Sequence, residues 1–297
     1  LCHSQLLEKS DFHSHGVDYT FCLNCTHLNG IFEDSQSFIE KLYISDNGKE
    51  YSSDYLDKEF VKRTVDIYIP KIEFLKSCLA PNLFNNYEIL DVGCGSGYFT
   101  YAAILSNLRA QGIDVNLTMT EFGNNQIFQL ANLRPLKFIE EVGFYNSIIN
   151  SNADVISAIG VIEHLRFPHV FFDAFVKSKA RFLFYSVPMF SFSVILENIF
   201  KDVYPRQLSS AHTHVFTEQS ILKMNEILGV KTIGEWRFGT DIMDLFRSVI
   251  VNLQKNNVSQ KLMEYLYQGL GTKIDEIQSI LDKNNFCSEI HCIVEKR

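Results

Sequence analysis

Asp91 is followed, two residues on, by three glycines in five positions, Gly93, Gly95 and Gly97, within the run EILDVGCGSGYFT (Glu88–Thr100). Glycine loses more backbone entropy on ordering than any other residue, so such a density marks a turn that needs φ > 0 or a peptide that something must approach closely. An apolar run ending in an acid, a glycine turn and a helix starting near Tyr98 form a strand–turn–helix corner. In a doubly wound sheet that corner lies at the carboxyl ends of the strands, where ligands bind. The spacing selects the ligand. A dinucleotide fingerprint, G-x-G-x-x-G, would place its third glycine at position 98, where Tyr98 stands. The pattern here is an acid followed by G-x-G-x-G. A second chemical signal lies near the start, where Cys22 and Cys25 form a C-x-x-C pair with Cys2 upstream. That spacing lets two thiolates reach one tetrahedral zinc.

These residues need a scaffold. Between Tyr87 and Gly234 short β-like runs alternate with longer helical segments, which predicts an α/β, doubly wound, Rossmann-like, mostly parallel sheet covered by helices. Strands are expected at YEILDVG, AQGIDV, LKFIEEV, ADVISAIG and RFLFYSV. Phe216–Gly229 reads as an amphipathic helix opened by Thr217 and closed by glycine. VKTIGEW makes a sixth strand and SEIHCIVEK a seventh. The resulting division is a zinc-binding lobe over 1–45, a helical bridge over 46–86, a core over 87–239, a helical insertion over 240–285 and a final core strand over 286–297. In the bridge, Leu56, Phe60, Val61, Val65 and Tyr68 recur at helical spacing after a Ser52 or Ser53 cap, until Pro70 interrupts; a short helix over Ile72–Leu79 follows.

The acid and G-x-G-x-G resemble the first motif of class I S-adenosylmethionine-dependent methyltransferases. Three further segments support the resemblance: Asp114 in QGIDV, 23 residues beyond Asp91; GVIEHL (Gly160–Leu165), similar to the family's text after strand four; and SVPMF at strand five. The resemblance covers about two-thirds of the chain. It implies S-adenosylmethionine as cofactor, bound by Asp91, Gly93, Cys94, Gly95, Gly97, Asp114, Val115 and Gly160. Asp114 would accept two ribose hydroxyls, strong bonds because the acceptor is charged. Asp91 would help the donor's ammonium through water, Gly160 would leave room beside the methyl group, and Phe138, Ile139 and Glu140 would border the adenine. Against this stands a glycine turn serving only helix packing, with Asp114 on the surface.

Methyl transfer from a sulfonium is an in-line displacement, so the enzyme aligns its reactants and, for a hydroxyl acceptor, removes a proton. Histidine suits that task near neutral pH. Glu163 and His164 follow the fourth strand, and His212 and His214 come from the loop after the fifth; Glu163, His164 and His214 are the catalytic candidates. The bland alternatives are a carboxylate stabilising a helix N-terminus and a histidine bonding a loop carbonyl. A Glu–His–His set also suits a divalent metal, as in relatives with E-x-x-E-H, but Gly160 occupies the first glutamate position.

For the cysteines, zinc held by Cys2, Cys22 and Cys25 with His3, His13, His15 or His27 stands against free thiols in a loop. The chain starts at Leu1 with no basic segment and cleavage site after it, so no signal peptide is expected, and a start trimmed through the zinc site would explain a missing fourth cysteine. A zinc knuckle before this core resembles methyltransferases of nucleotide-sugar, surface-polysaccharide or secondary-metabolite pathways, which implies a small acceptor, a saccharide or nucleotide-sugar, and structural zinc. Composition sets the outer limits. A net charge of −8 with no basic run argues against nucleic acid as partner. Phe182–Phe200 has spanning length but carries Pro188 and polar interruptions, and reads as a strand then a helix. Seven scattered cysteines suggest a reducing cytoplasm. The rival readings are a non-catalytic binding or scaffold member of the same fold and an NAD-dependent oxidoreductase.

Overall fold

A computed structural model describes residues 2, 9–31, 59–79, 84–203, 205–208 and 212–297. His3, the Ser52 or Ser53 cap and Leu56 lie outside the described residues. The chain opens with three short strands, β1 (Phe12–Ser14), β2 (Val17–Phe21) and β3 (Leu28–Ile31). The bridge is one helical run: α1 (Phe60–Arg63), a five-residue π turn (Thr64–Tyr68) and α2 (Ile69–Cys78). The core then alternates β4 (Glu88–Val92), α3 (Tyr98–Leu105), β5 (Arg109–Asp114), α4 (Leu117–Ala131), β6 (Leu136–Phe138), α5 (Glu141–Ile149), β7 (Val155–Ile159), α6 (Pro168–Lys177), β8 (Phe182–Pro188) and α7 (Phe192–Ile199). After β9 (His214–Val215) come α8 (Glu218–Leu228), β10 (Val230–Phe238), three helices α9 (Asp241–Lys255), α10 (Gln260–Gly269) and α11 (Ile274–Lys283), and β11 (Glu289–Lys296).

Seven strands form one sheet in the order β10-β11-β8-β7-β4-β5-β6. Four neighbouring pairs, joining β8, β7, β4, β5 and β6, are parallel, and β11 alone is reversed, antiparallel to both β8 and β10. Strands β7 and β8 read as continuous apolar runs because helices cover both faces. One face packs against α5, α6 and α8 through Phe144, Ile148, Phe171, Phe172, Phe175 and Met224, the other against α2 and α3 through Ile72, Leu75, Phe99 and Ala102. Strand β4 pairs with β5 on one side and β7 on the other, so the order reverses there and opens a crevice above its carboxyl end.

Two segments differ from expectation. LKFIEEV yields only a three-residue edge strand, since Glu141 already begins α5, whose Phe144 and Ile148 are buried at helical spacing. Pro70 does not interrupt the bridge. The preceding π turn carries the Ile69 N–H to the Thr64 carbonyl, which leaves Pro70 in the first turn of α2, where its missing N–H costs nothing. Thr217 and Ser220 form a capping box on α8, and Gly229 closes it in the left-handed region.

The first three strands complete a second sheet only with β9, from the loop after β8, in the order β1-β2-β3-β9. Buried Tyr19 donates its hydroxyl to the His212 carbonyl at 3.0 Å, and the Gly30 N–H donates to the Thr213 carbonyl at 2.6 Å. The cysteine lobe therefore fixes the backbone that carries His212.

Candidate active site

All three loop glycines have φ between +52° and +77°, a region costly to residues with a Cβ. What a Cβ would meet is the protein's own interior. At Gly93 it would lie 2.6 Å from Val161 Cγ2, at Gly95 2.8 Å from Met119 Cε, and at Gly97 2.6 Å from Leu136 Cδ1. The density of glycine is thus required by the turn and by helix-to-strand packing, and the peptide that results lines the cavity at Gly93 and Gly95. Gly97→Ala is expected to lower stability by about 1–3 kcal/mol through positive φ and overpacking against Leu136, read as a lower midpoint in urea.

The two acids of the sheet differ in use. Both Asp91 oxygens are taken, Oδ2 by the Thr100 hydroxyl at 2.8 Å and Oδ1 by the Ser157 hydroxyl at 2.9 Å. Asp91 so ties β4 to α3 and β7, and burial pushes its carboxyl up to about 7. Asp114 ends β5. Its Oδ2 accepts from the Gly95 N–H at 2.7 Å and its Oδ1 from the Asn116 N–H at 2.8 Å, which locks the carboxylate beside the glycine loop. Burial raises its pKa, and the backbone N–H groups of Gly95, Asn116 and Val115 oppose that rise. Each Asp114 oxygen retains a lone pair, and the residue lines a cavity of about 930 Å³.

That cavity runs from the loop across the carboxyl ends of β4, β7 and β8. Asp91, Gly93, Cys94, Gly95, Asp114, Val115 and Gly160 all line it, whereas Gly97 lies behind it against Leu136. Phe138, Ile139 and Glu140 are not on its wall; Glu141, Phe144 and Tyr145 of α5 are. Gly160, at φ +68°, donates its N–H to the Ser186 hydroxyl at 2.9 Å. A Cβ there would meet only Glu163 Oε1, at 3.9 Å.

Glu163, His164 and His212 converge on the opposite wall, each offering a ligand atom within 4.8 Å of the others. The two imidazoles meet edge to face at 4.7 Å. Glu163 sits in a single 3-10 turn (Ile162–His164), away from the N-terminus of α6, so it does not cap that helix. Burial pushes its carboxyl up to about 7, and its Oε2 is buried with no hydrogen-bond partner among the described residues. Burial, with His164 adding repulsion, holds His212 down to about 3, a neutral imidazole. His214 is not part of this group. It sits on β9 with Nδ1 3.0 Å from His27 Nε2, and burial holds it down to about 4. Two residues earlier, His212, which precedes β9, lines the cavity instead.

The sequence reading missed the cavity's cations. Arg63, Lys71, Arg166 and Arg206 line it, as does Glu289 of β11. Their only signal was that the bridge helix would have to face the carboxyl ends of the strands. In the small N-terminal lobe, Cys2, Cys22 and Cys25 bring their sulfurs within 4.8 Å of one another, with Cys2 and Cys22 3.3 Å apart. Zinc–thiolate bonds of about 2.3 Å require sulfurs about 3.8 Å apart, so the trio fits one ion. His13 bonds Asp18 and His27 faces His214, so neither joins the trio; nor does His15.

Residues 66–233 match the family described as a methyltransferase domain. No curated protein matches the sequence. Magnesium protoporphyrin IX methyltransferase from Synechocystis PCC 6803, with bound SAH, superposes with a TM-score of 0.55 over 89% of this chain and 100% of its own, at 11% identity. The same enzyme with bound SAM gives 0.50 over 90% and 99%, at 12% identity. A putative sarcosine dimethylglycine methyltransferase from Galdieria sulphuraria covers 77% and 86%, at 12% identity and 0.47. No helix among the described residues is long and apolar enough to cross a membrane. With more than half its length matched to that family and its seven strands in this fold, the chain belongs to the methyltransferase domain family and is an S-adenosylmethionine-dependent methyltransferase.

Proposed function

We propose that the chain methylates a hydroxyl of a small acceptor, a saccharide or nucleotide-sugar, in the cavity between Asp114 and the Glu163–His164–His212 group. The observation that carries this reading is one continuous space with a locked carboxylate at one end and a proton-accepting group at the other. Its volume of about 930 Å³ matches a cofactor together with one small molecule, and an extended polymer would need an open groove. Bound there, S-adenosylmethionine supplies a methyl group activated as a sulfonium. Asp114 accepts the ribose hydroxyls, the peptides of Gly93, Cys94 and Gly95 face the amino-acid end, and Val115 with Phe144 packs the base. Arg63, whose guanidinium stands 5.2 Å over the Tyr98 ring, is the cation for the donor's carboxylate. Gly160 keeps the space at the methyl group open.

Glu163 takes the proton from the acceptor hydroxyl, since its carboxyl, raised to about 7, is half-ionised at neutral pH and its Oε2 has no competing partner. Neutral His212, with His164 beside it, orients that hydroxyl. The same three side chains have the donor types of a divalent-metal site. A mass-spectrometric screen of sugars and nucleotide-sugars for a gain of one methyl group tests the reading. Gain on none of them, with gain on an amine or peptide instead, would replace the acceptor class.

We further propose that Cys2, Cys22 and Cys25 hold a structural zinc whose lobe positions His212. Elemental analysis is expected to find about one zinc per chain, and its chelation to lower the melting temperature. Cys22→Ser should do the same. A zinc-free chain with an unchanged melting temperature would leave the three as free thiols.

A further inference from the structure

The cavity wall holds a buried lysine that makes no ion pair among the described residues; burial lowers its pKa, and the Glu289 charge opposes that fall. Lys71, on α2, is 7% exposed and lines the cavity. Its Nζ lies 2.7 Å from Nε2 of His291 on β11, and no carboxylate among the described residues comes within 4.0 Å of it. Burial holds His291 well below its usual range, so the neutral imidazole accepts one Lys71 N–H and the other two remain free to donate. The rings of Tyr68, Trp236 and Phe238 stand 5.9, 6.0 and 5.7 Å from the nitrogen. Glu289 shares this wall beyond ion-pair distance of Lys71, its Oε1 3.7 Å from His291 Nδ1; burial pushes its carboxyl up to about 7, and the Lys71 charge opposes that rise.

Lysine is almost never buried without a partner, because a desolvated ammonium is costly unless an anion meets it. Nothing in the sheet requires it here: α2 already packs through Ile72 and Leu75. Arg63, eight residues earlier on the same helical run, stands over Tyr98 beside the glycine loop, so the donor's carboxylate has its own cation. The two bridge cations thus serve different ends of one cavity.

We propose that Lys71, braced by His291, anchors an acceptor subsite that takes an oxyanion, the carboxylate or phosphate of an acidic saccharide, against the face of Phe238. This rests on the reading that the chain methylates a small saccharide. The ammonium supplies charge and two donors, and Phe238 supplies the apolar wall.

The chain's single tryptophan, Trp236, reports on the site, being 6.0 Å from the ammonium. The protein saturated with S-adenosylhomocysteine is titrated with glucuronate, glucose 1-phosphate and glucose while Trp236 emission is followed. A saturable change with at least one acid, at least about tenfold tighter than with glucose, is expected. The acid that binds more tightly identifies carboxylate or phosphate. K71M and K71Q, each checked for an unchanged melting temperature, should lose the preference, whereas K71R should keep it. Affinity of both neutral variants for adenosylhomocysteine should stay within about twofold of wild type, as for a distant site. Equal binding of all three probes, or a preference that survives K71Q, overturns the proposal. So does a tenfold weakening of adenosylhomocysteine in well-folded K71Q, which would assign the ammonium to the donor's carboxylate. A wild-type chain that ignores adenosylhomocysteine would instead sink the donor reading beneath it.

Discussion

Replacing Glu163 by glutamine is expected to lower turnover by about 10²–10⁴, the usual contribution of a positioned general base. Affinity for adenosylhomocysteine should be nearly unchanged, because Glu163 faces the acceptor wall. The pH profile separates this from a packing defect. A base works in its ionised form, and burial pushes the Glu163 carboxyl from 4.5 up to about 7. Wild-type activity should therefore fall as pH drops through about 7, and the residual activity of the variant should lack that limb. Stability should move the opposite way. A carboxyl that binds its proton more tightly folded than unfolded contributes stability fully present below 4.5 and lost as pH rises through about 7. Glutamine mimics the protonated form, so E163Q should gain on wild type in melting temperature between pH 5 and pH 8. A variant that keeps its turnover would remove Glu163 from the chemistry.

Asp114→Ala should weaken adenosylhomocysteine by about 1–3 kcal/mol, the cost of losing hydrogen bonds to a charged acceptor. That is roughly 5- to 150-fold in affinity, measured by calorimetry. Part of the effect is indirect, since Asp114 also holds the N–H groups of Gly95 and Asn116 and thereby the shape of the loop. Asp114→Asn keeps the volume and removes the charge; a comparable loss in that variant would assign the effect to the charged acceptor. Unchanged affinity in both would place the ribose elsewhere.

The sheet was legible because its signals are local. An apolar run, an acid and glycines at fixed spacing specify a strand, a turn and a helix without knowledge of partners, and Thr217 with Gly229 marks both ends of α8. The edge strand at Leu136 was over-read because LKFIEEV has β-like residues on both sides of the place where the helix takes over. The loop glycines were legible as glycines but not in their reason: positive φ could be anticipated, whereas contact with Val161, Met119 and Leu136 arises from packing across strands.

Convergence of distant residues was the hidden part. His212 lies just before β9 and lines the cavity, whereas His214, within β9, turns to His27; which does which depends on the pairing of β3 with β9, some 185 residues apart in sequence. Lys71, His291 and Glu289 meet only because α2 packs over the reversed last strand. No spacing rule covers a pair 220 residues apart.

Calorimetric titration of the purified chain with S-adenosylhomocysteine, beside NAD, tests the central claim most directly. One saturable site per chain for adenosylhomocysteine, lost or weakened in Asp114→Ala, and no heat from NAD, is the expected result. Saturable binding of NAD alone, or no response to adenosylhomocysteine at millimolar concentration, would contradict it.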